Sequence, residues 1–287
     1  MDRRTFLQAG SALAATALLP GMAARADYKI SLAAYSMRKY LELKNATMDL
    51  GQFLEKCAAW KCEGAELTEY YFKKPVTKEA VDALRKKAAE LGLAITGTPV
   101  GNSFTHPPGE ARDKEIAKMK AWIDVSGDLG SPAIRIFAGG TPKGVEESTA
   151  RGWVRECIQA CLEKAAERKV ILALENHGGV VATADGMLEI AKGIESPWFG
   201  FNMDTGNFHS EDPYAELEKI APRAVTCQVK VEMSPKGKPK EAADVPRLIA
   251  MMRKHAYKGF ITLEYEAAEE PLEAIPKWLD ILRKAIG

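Results

Sequence analysis

The chain has little net charge, little histidine and no cysteine pattern, and each lack removes a class of function. Its formal charge is +1, from 40 basic and 39 acidic residues spread without blocks of one sign. Nucleic acid or an anionic membrane therefore finds no electrostatic footprint. Only four histidines occur, His106, His177, His209 and His255. The five cysteines, Cys57, Cys62, Cys157, Cys161 and Cys227, are odd in number and form no close paired zinc pattern, which excludes a fully bridged framework and a paired zinc motif. Cys157 and Cys161 stand four apart on a helical stretch among apolar neighbours, and read as buried small hydrophobes. No G-x-G-x-x-G follows the first strand-like run and no Walker loop occurs anywhere, so dinucleotide and P-loop folds are disfavoured.

A membrane span is also missing. The apolar run from Ala9 to Ala24 falls short of the ~20 residues a spanning helix needs, and it lacks the polar face of an amphipathic helix. Paired Arg3 and Arg4 precede it and the small-x-small pattern Ala24-Arg25-Ala26 follows, so residues 1–26 read as a twin-arginine export signal. No cysteine follows the cleavage pattern to take a lipid. The expected mature chain, residues 27–287, carries a formal charge of −1 and is periplasmic or otherwise exported. Its expected partner on the way out is the twin-arginine translocase, with no stable membrane insertion, and an oligomer is left open.

What the chain does have is alternation. Apolar runs of strand length lie at Ile30–Tyr35, Ala65–Tyr71, Ala94–Val100, Ala133–Ala138, Val170–Leu174, Phe199–Met203, Ala224–Val231 and Gly259–Tyr265. Between them come amphipathic stretches at Met48–Lys61, Lys78–Leu91, Glu110–Leu129, Glu146–Arg168, Ala184–Ile194, Pro213–Ile220, Ala242–Lys254 and Leu272–Ala285. Thr77 and Asp212 stand where helix N-caps belong, and Pro213 occupies a first helical turn. Eight strand–helix units in one uninterrupted domain predict an α/β fold, a single (β/α)8 TIM barrel.

In such a barrel the chemistry lies at the carboxyl ends of the strands. The fifth run ends in Glu175-Asn176-His177 and the sixth in Asp204-Thr205-Gly206-Asn207. The seventh alternates Thr226, Gln228 and Lys230 against an apolar face, and the eighth sets Thr262, Glu264 and Glu266 on one side. Four adjacent strands thus aim Glu175, Asp204, Gln228 and Glu264 at one small volume. Carboxylates sharing a partly buried space raise one another's pKa and call for positive charge. A divalent cation supplies it best, while Lys230 is the alternative counter-charge.

Glu-Asn-His, Asp-Thr-Gly-Asn, the lysine after the seventh strand and Glu-Tyr-Glu at the eighth resemble the xylose isomerase-like TIM barrel family, over essentially the whole mature chain. That resemblance implies a sugar isomerase or epimerase in which two glutamates flank a metal-bound ketose and pass one proton through an enediolate. It implies metal ligands at Glu175, Asp204 and Glu264. Gln228 stands where the family places a histidine, a departure that makes the donor set all oxygen and favours manganese or magnesium, with cobalt or zinc behind them. The expected catalytic residues are Glu175, Glu264 and His177; Lys230, Arg135, Glu66, Tyr70 and His209 are expected to bind substrate. The family's endonuclease branch is disfavoured, because it needs a histidine-rich multi-metal site. An export signal and the lack of a glycine-rich phosphate cradle point to a non-phosphorylated sugar or glycoside. Two alternatives stay open: a metal-dependent lyase or hydrolase of keto-glycosides, and a sugar-binding barrel without turnover.

Overall fold

The computed structural model describes residues 28–287, and the export signal expected over residues 1–26 lies outside the described residues. Eight parallel strands form the sheet: β1 (Ile30–Ala33), β2 (Gly64–Glu66), β3 (Ala94–Gly97), β4 (Ala133–Ile136), β5 (Ile171–Glu175), β6 (Phe199–Asp204), β7 (Ala224–Val229) and β8 (Ile261–Leu263). Their order is β3-β2-β1-β8-β7-β6-β5-β4. The circle is completed where the Thr98 amide donates to the Ala133 carbonyl at 3.1 Å and the Val100 amide to the Arg135 carbonyl at 3.2 Å. The molecule is a single-domain (β/α)8 barrel, as the alternation predicts.

The outer ring consists of α1 (Leu50–Ala59), α2 (Lys78–Glu90), α3 (Glu110–Leu129), α4 (Glu147–Arg168), α5 (Ala184–Ala191), α6 (Pro213–Ile220), α7 (Val245–Lys254) and α8 (Pro271–Ile286). Side chains set their starts. Thr77 caps α2 through the Ala80 amide and Asp212 caps α6 through the Ala215 amide. Asp49 and Gln52 form a reciprocal capping box at α1. Asp49→Ala removes that box, and the expected cost of about 1 kcal/mol is measurable by urea denaturation. Among the described residues no helix is long and apolar enough to cross a membrane.

Strand alternation decides what faces where. Leu32, Ile134, Leu172, Leu174, Phe201, Met203, Cys227 and Leu263 are fully buried in the layer between sheet and helices. All five cysteines are free and buried. The opposite set, Ser31, Glu66, Thr96, Arg135, Glu175, Asn202, Asp204, Gln228, Thr262 and Glu264, is buried and polar, and fills the barrel itself. Such an interior is stable only when its groups are paired. Low in the barrel the Ser31 and Thr96 hydroxyls share a 2.8 Å hydrogen bond, and Thr226 donates to Asn202 at 2.8 Å.

Several strands are shorter than the apolar runs that announce them. After β2 the chain tightens into a turn at Glu69–Tyr71, which takes Tyr70 and Tyr71 off the ladder and places them at the mouth. Past β7 a two-residue antiparallel ribbon pairs Glu232–Met233 with Glu241–Ala242 and carries the basic segment 236–240 outward.

Candidate active site

The ends of β4 to β8 build the site in two storeys. In the lower one, Gln228 lies beside Asp204 and Thr262 in register. Its amide nitrogen donates to Glu66 Oε1 at 2.7 Å, and its oxygen accepts from the Asn202 amide at 2.6 Å. Burial drives the Glu66 carboxyl up to about 8, and the nearby charge of Glu264 adds to that. Because the unfolded carboxyl ionises near 4.3, Glu66 contributes stability that is full below that pH and lost as pH rises towards about 8. The melting-temperature advantage of Glu66→Gln over wild type is therefore expected to widen from pH 5 to pH 8, which scanning calorimetry reads directly.

The upper storey holds the charges. Glu175 Oε2 meets Arg135 Nε at 2.7 Å, and its Oε1 accepts from the Asn207 amide at 2.9 Å. Arg135 also donates to the Val100 carbonyl at 3.0 Å and lies over the Phe137 ring at 3.8 Å. The Lys230 ammonium stands 2.6 Å from Glu264 Oε2 and 3.2 Å from Asp204 Oδ2, and also pairs with Glu266. Burial pushes Glu175 and Asp204 up, and the opposing charges of Arg135 and Lys230 only partly offset it. For Glu264 burial acts the same way, but the Lys230 ammonium outweighs it and holds the carboxyl below its usual range. The two glutamates therefore sit in environments that drive their protonation apart.

Residues without charge fix this arrangement. The Asn176 side chain donates to the Asp204 carbonyl and accepts from the Asp204 amide, both at 2.9 Å, so it sews the end of β5 to the end of β6. Gly206 donates to Asp204 Oδ1 at 2.8 Å, and a methyl group there would strike Lys230 Cγ at 2.6 Å. At Gly179 the backbone has φ +53°, and a Cβ would run into the Gly139 carbonyl. The Gly178-Gly179 pair therefore lets the chain turn tightly past β4 just after His177.

A cavity of about 260 Å³ opens over the upper storey, lined by Tyr35, Tyr70, Arg135, Phe137, Glu175, His177, Asn207, Lys230, Glu264 and Glu266. Of the residues expected to act there, Glu175, Glu264, His177, Lys230, Arg135 and Tyr70 line it. Asp204 is buried beneath it against Lys230, while Glu66 and Gln228 form the storey below. His177 packs on Phe137 with ring centroids 4.4 Å apart. His209 bonds the Ser234 carbonyl at 3.2 Å and lines neighbouring clefts instead. The segment 101–113 is tied back to β4, through Asn102 to the Phe137 backbone and through a buried Phe104, and does not line this cavity.

Asn202, Phe137 and Tyr35 belong to the site beyond the residues expected there, and Asn207, the last residue of the Asp-Thr-Gly-Asn motif, holds Glu175. Alternation along Phe201-Asn202-Met203-Asp204 points Asn202 inward beside Asp204, and that signal was available.

Two features bear on whether a divalent cation fits. Asp204 Oδ2 and Glu175 Oε2 are buried without a well-formed hydrogen bond. Fully ionised, Glu175, Asp204, Glu264 and Glu266 would outnumber Arg135 and Lys230 by two charges, an excess that a bound cation would offset. The donor chemistry and the charge fit such an ion. The arrangement as it stands gives the central position to Lys230, and among the described residues no three His, Cys, Asp or Glu side chains are gathered around a common metal position. A cation would have to draw the carboxylates in past the ammonium.

An eight-stranded barrel with an acidic, cation-laced chamber at its carboxyl-end face is the class that this geometry defines. Residues 54–285 match the model of the xylose isomerase-like TIM barrel family, and the chain belongs to that family. Searching the curated proteins gave no match. Among solved structures, a D-psicose 3-epimerase crystallised in the presence of D-fructose superposes with a TM-score of 0.73 at 13% identity, covering 90% of this chain and 99% of that one. A 3-keto-D-glucoside 4-epimerase from E. coli gives 0.70 at 13% identity, with 90% and 99% covered. A xylose isomerase-like TIM barrel protein from Mycobacterium smegmatis, in complex with magnesium, gives 0.68 at 15% identity, with 91% and 98% covered. At these identities the likeness establishes the fold.

Proposed function

We propose that the protein is an exported isomerase or epimerase of a non-phosphorylated sugar, moving a proton on the carbon beside a carbonyl with the help of a divalent cation. The observation that carries this reading is the placement of Glu175 and Glu264 from β5 and β8 in the wall of one small cavity, with Arg135 and Lys230 beside them. Of these two glutamates one takes the proton from the carbon and the other returns it, both carboxyls reaching the same cavity. Arg135 and Lys230 offer donors to the substrate oxygens, and His177 on its Phe137 platform contacts the sugar at the rim. Glu175, Asp204 and Glu264 would hold the cation through oxygen, and Gln228, whose oxygen already accepts from Asn202, would join them only through its second lone pair. Such a set suits manganese or magnesium. When bound, the cation polarises the carbonyl and offsets the charge that develops on its oxygen.

Support for a phosphate-free substrate comes from the chamber, where both cations, Arg135 and Lys230, are already paired with carboxylates. Export through the Arg3-Arg4 leader accords with it. The test is incubation of the purified protein with manganese and a panel of keto sugars and keto-glycosides in deuterium oxide. Deuterium on the carbon next to the carbonyl of an intact sugar is expected. Release of an aglycone would replace the reading with elimination, and binding without exchange would replace it with a non-catalytic barrel.

A further inference from the structure

The chamber has a larger annexe. A cleft of about 600 Å³ lies beside it, and Tyr35 and Tyr70 line both spaces, so the two adjoin at these rings. Tyr71, Ala267 and Ala268 continue the wall of the cleft, with Ser36, Lys39, Glu42 and Glu269 as polar lining. The chamber itself lies at or below the small end of the about 300–1,000 Å³ usual for ligand pockets, room for one sugar ring.

The annexe is preformed. Ser36 donates to the Leu263 carbonyl at 3.3 Å and accepts from the Tyr265 amide at 2.9 Å. Arg38 donates to the Tyr265 carbonyl at 3.1 Å, and Glu270 is held by Lys39 and Tyr40. The loops after β1 and β8 are thus joined across the cleft. Its charges are of mixed sign, Arg38 and Lys39 against Glu42, Glu269 and Glu270, which gives no basic cradle for a phosphate. Aromatic faces beside scattered polar groups match a neutral sugar ring, whose C–H face packs on tyrosine while its hydroxyls reach the rim.

We infer that the substrate is a two-ring saccharide: the carbonyl-bearing unit lies at Glu175 and Glu264, and a second neutral sugar ring lies in the Tyr35–Tyr70–Tyr71 cleft. This rests on the proton-transfer reading of the chamber and extends it to the substrate's length. The experiment compares D-fructose with turanose and leucrose, in which the same ketose carries a glucosyl ring, by isothermal titration calorimetry on the manganese-supplied protein. At least one disaccharide is expected to bind tenfold or more tightly than fructose. Ala268→Trp, at an exposed position, is expected to fill the cleft and erase that difference while leaving fructose affinity and the melting temperature unchanged. Equal binding of all three sugars by the wild type would overturn the inference and leave the chamber reading standing. A disaccharide preference that survives Ala268→Trp would overturn the assignment to this cleft. Binding of none of the three would overturn both readings.

Discussion

Glu175→Gln and Glu264→Gln are each expected to slow deuterium exchange into the substrate on the order of 10²–10⁴-fold, the usual contribution of a positioned acid or base. Their effects on stability should differ, and that difference separates chemistry from folding. Glu175→Gln takes the charge from the buried partner of Arg135, so it should melt below the wild type; because burial raises Glu175, the wild type loses stability as pH rises through the folded value, and this deficit should narrow from acid towards neutral pH. Glu264 is held low by the Lys230 ammonium, so the ionised carboxylate stabilises the fold above the unfolded pKa and loses that contribution as pH falls through the folded value. Glu264→Gln should therefore melt below the wild type at neutral pH, with the deficit closing in acid. Scanning calorimetry from pH 3 to 7 beside the exchange assay reads both quantities. Exchange at the wild-type rate in either variant would remove that glutamate from the mechanism.

The barrel was legible because its signal is repetitive. Eight strand-length runs alternate with eight helical ones, and the outward residues Leu172, Leu174, Phe201 and Met203 all become core. Alternation along the seventh and eighth runs put Gln228, Lys230 and Glu264 inside, since a period of two assigns a face without tertiary knowledge, and the ends of the fifth and sixth runs put Glu175 and Asp204 beside them. Height along the barrel axis was not legible. Gln228 and Asp204 face one another in register, yet the amide turns down to Glu66 and Asn202 while the carboxylate meets Lys230. Which inward group reaches the mouth depends on side-chain length and on partners more than 20 residues away, neither of which a local pattern contains. Asn176 shows the same limit: within Glu-Asn-His it looks like part of the chemistry, and the fold uses it to clamp the Asp204 backbone. The tyrosine cleft escaped for another reason. It is assembled from loops after β1, β2 and β8, which meet only when the barrel closes.

Lys230→Met is expected to bind manganese at least tenfold more tightly than the wild type. The ammonium lies between Asp204 and Glu264, in the space a cation bound by those oxygens would need. A unit charge about 4 Å from a divalent ion repels it by several kcal/mol at an effective dielectric constant of about 20. Lys230 can relieve part of that by swinging towards Glu266, which reduces the expected gain to the stated factor without removing it. Methionine keeps the length of the side chain and leaves Asp204 and Glu264 without a counter-charge, so without metal this variant should melt below the wild type. Manganese should then restore it, because an ion that binds the folded state alone adds stability in proportion to the logarithm of its concentration over Kd. Lys230→Arg, which retains the charge, should show neither effect. Calorimetric titration with manganese chloride and the Tm with and without chelator provide the two readouts, neither of which requires the sugar. If Lys230→Met binds manganese no better than the wild type, the lysine does not compete for the cation. If neither protein binds it, Lys230 and Arg135 are the site's only cations, and proton transfer must rest on them.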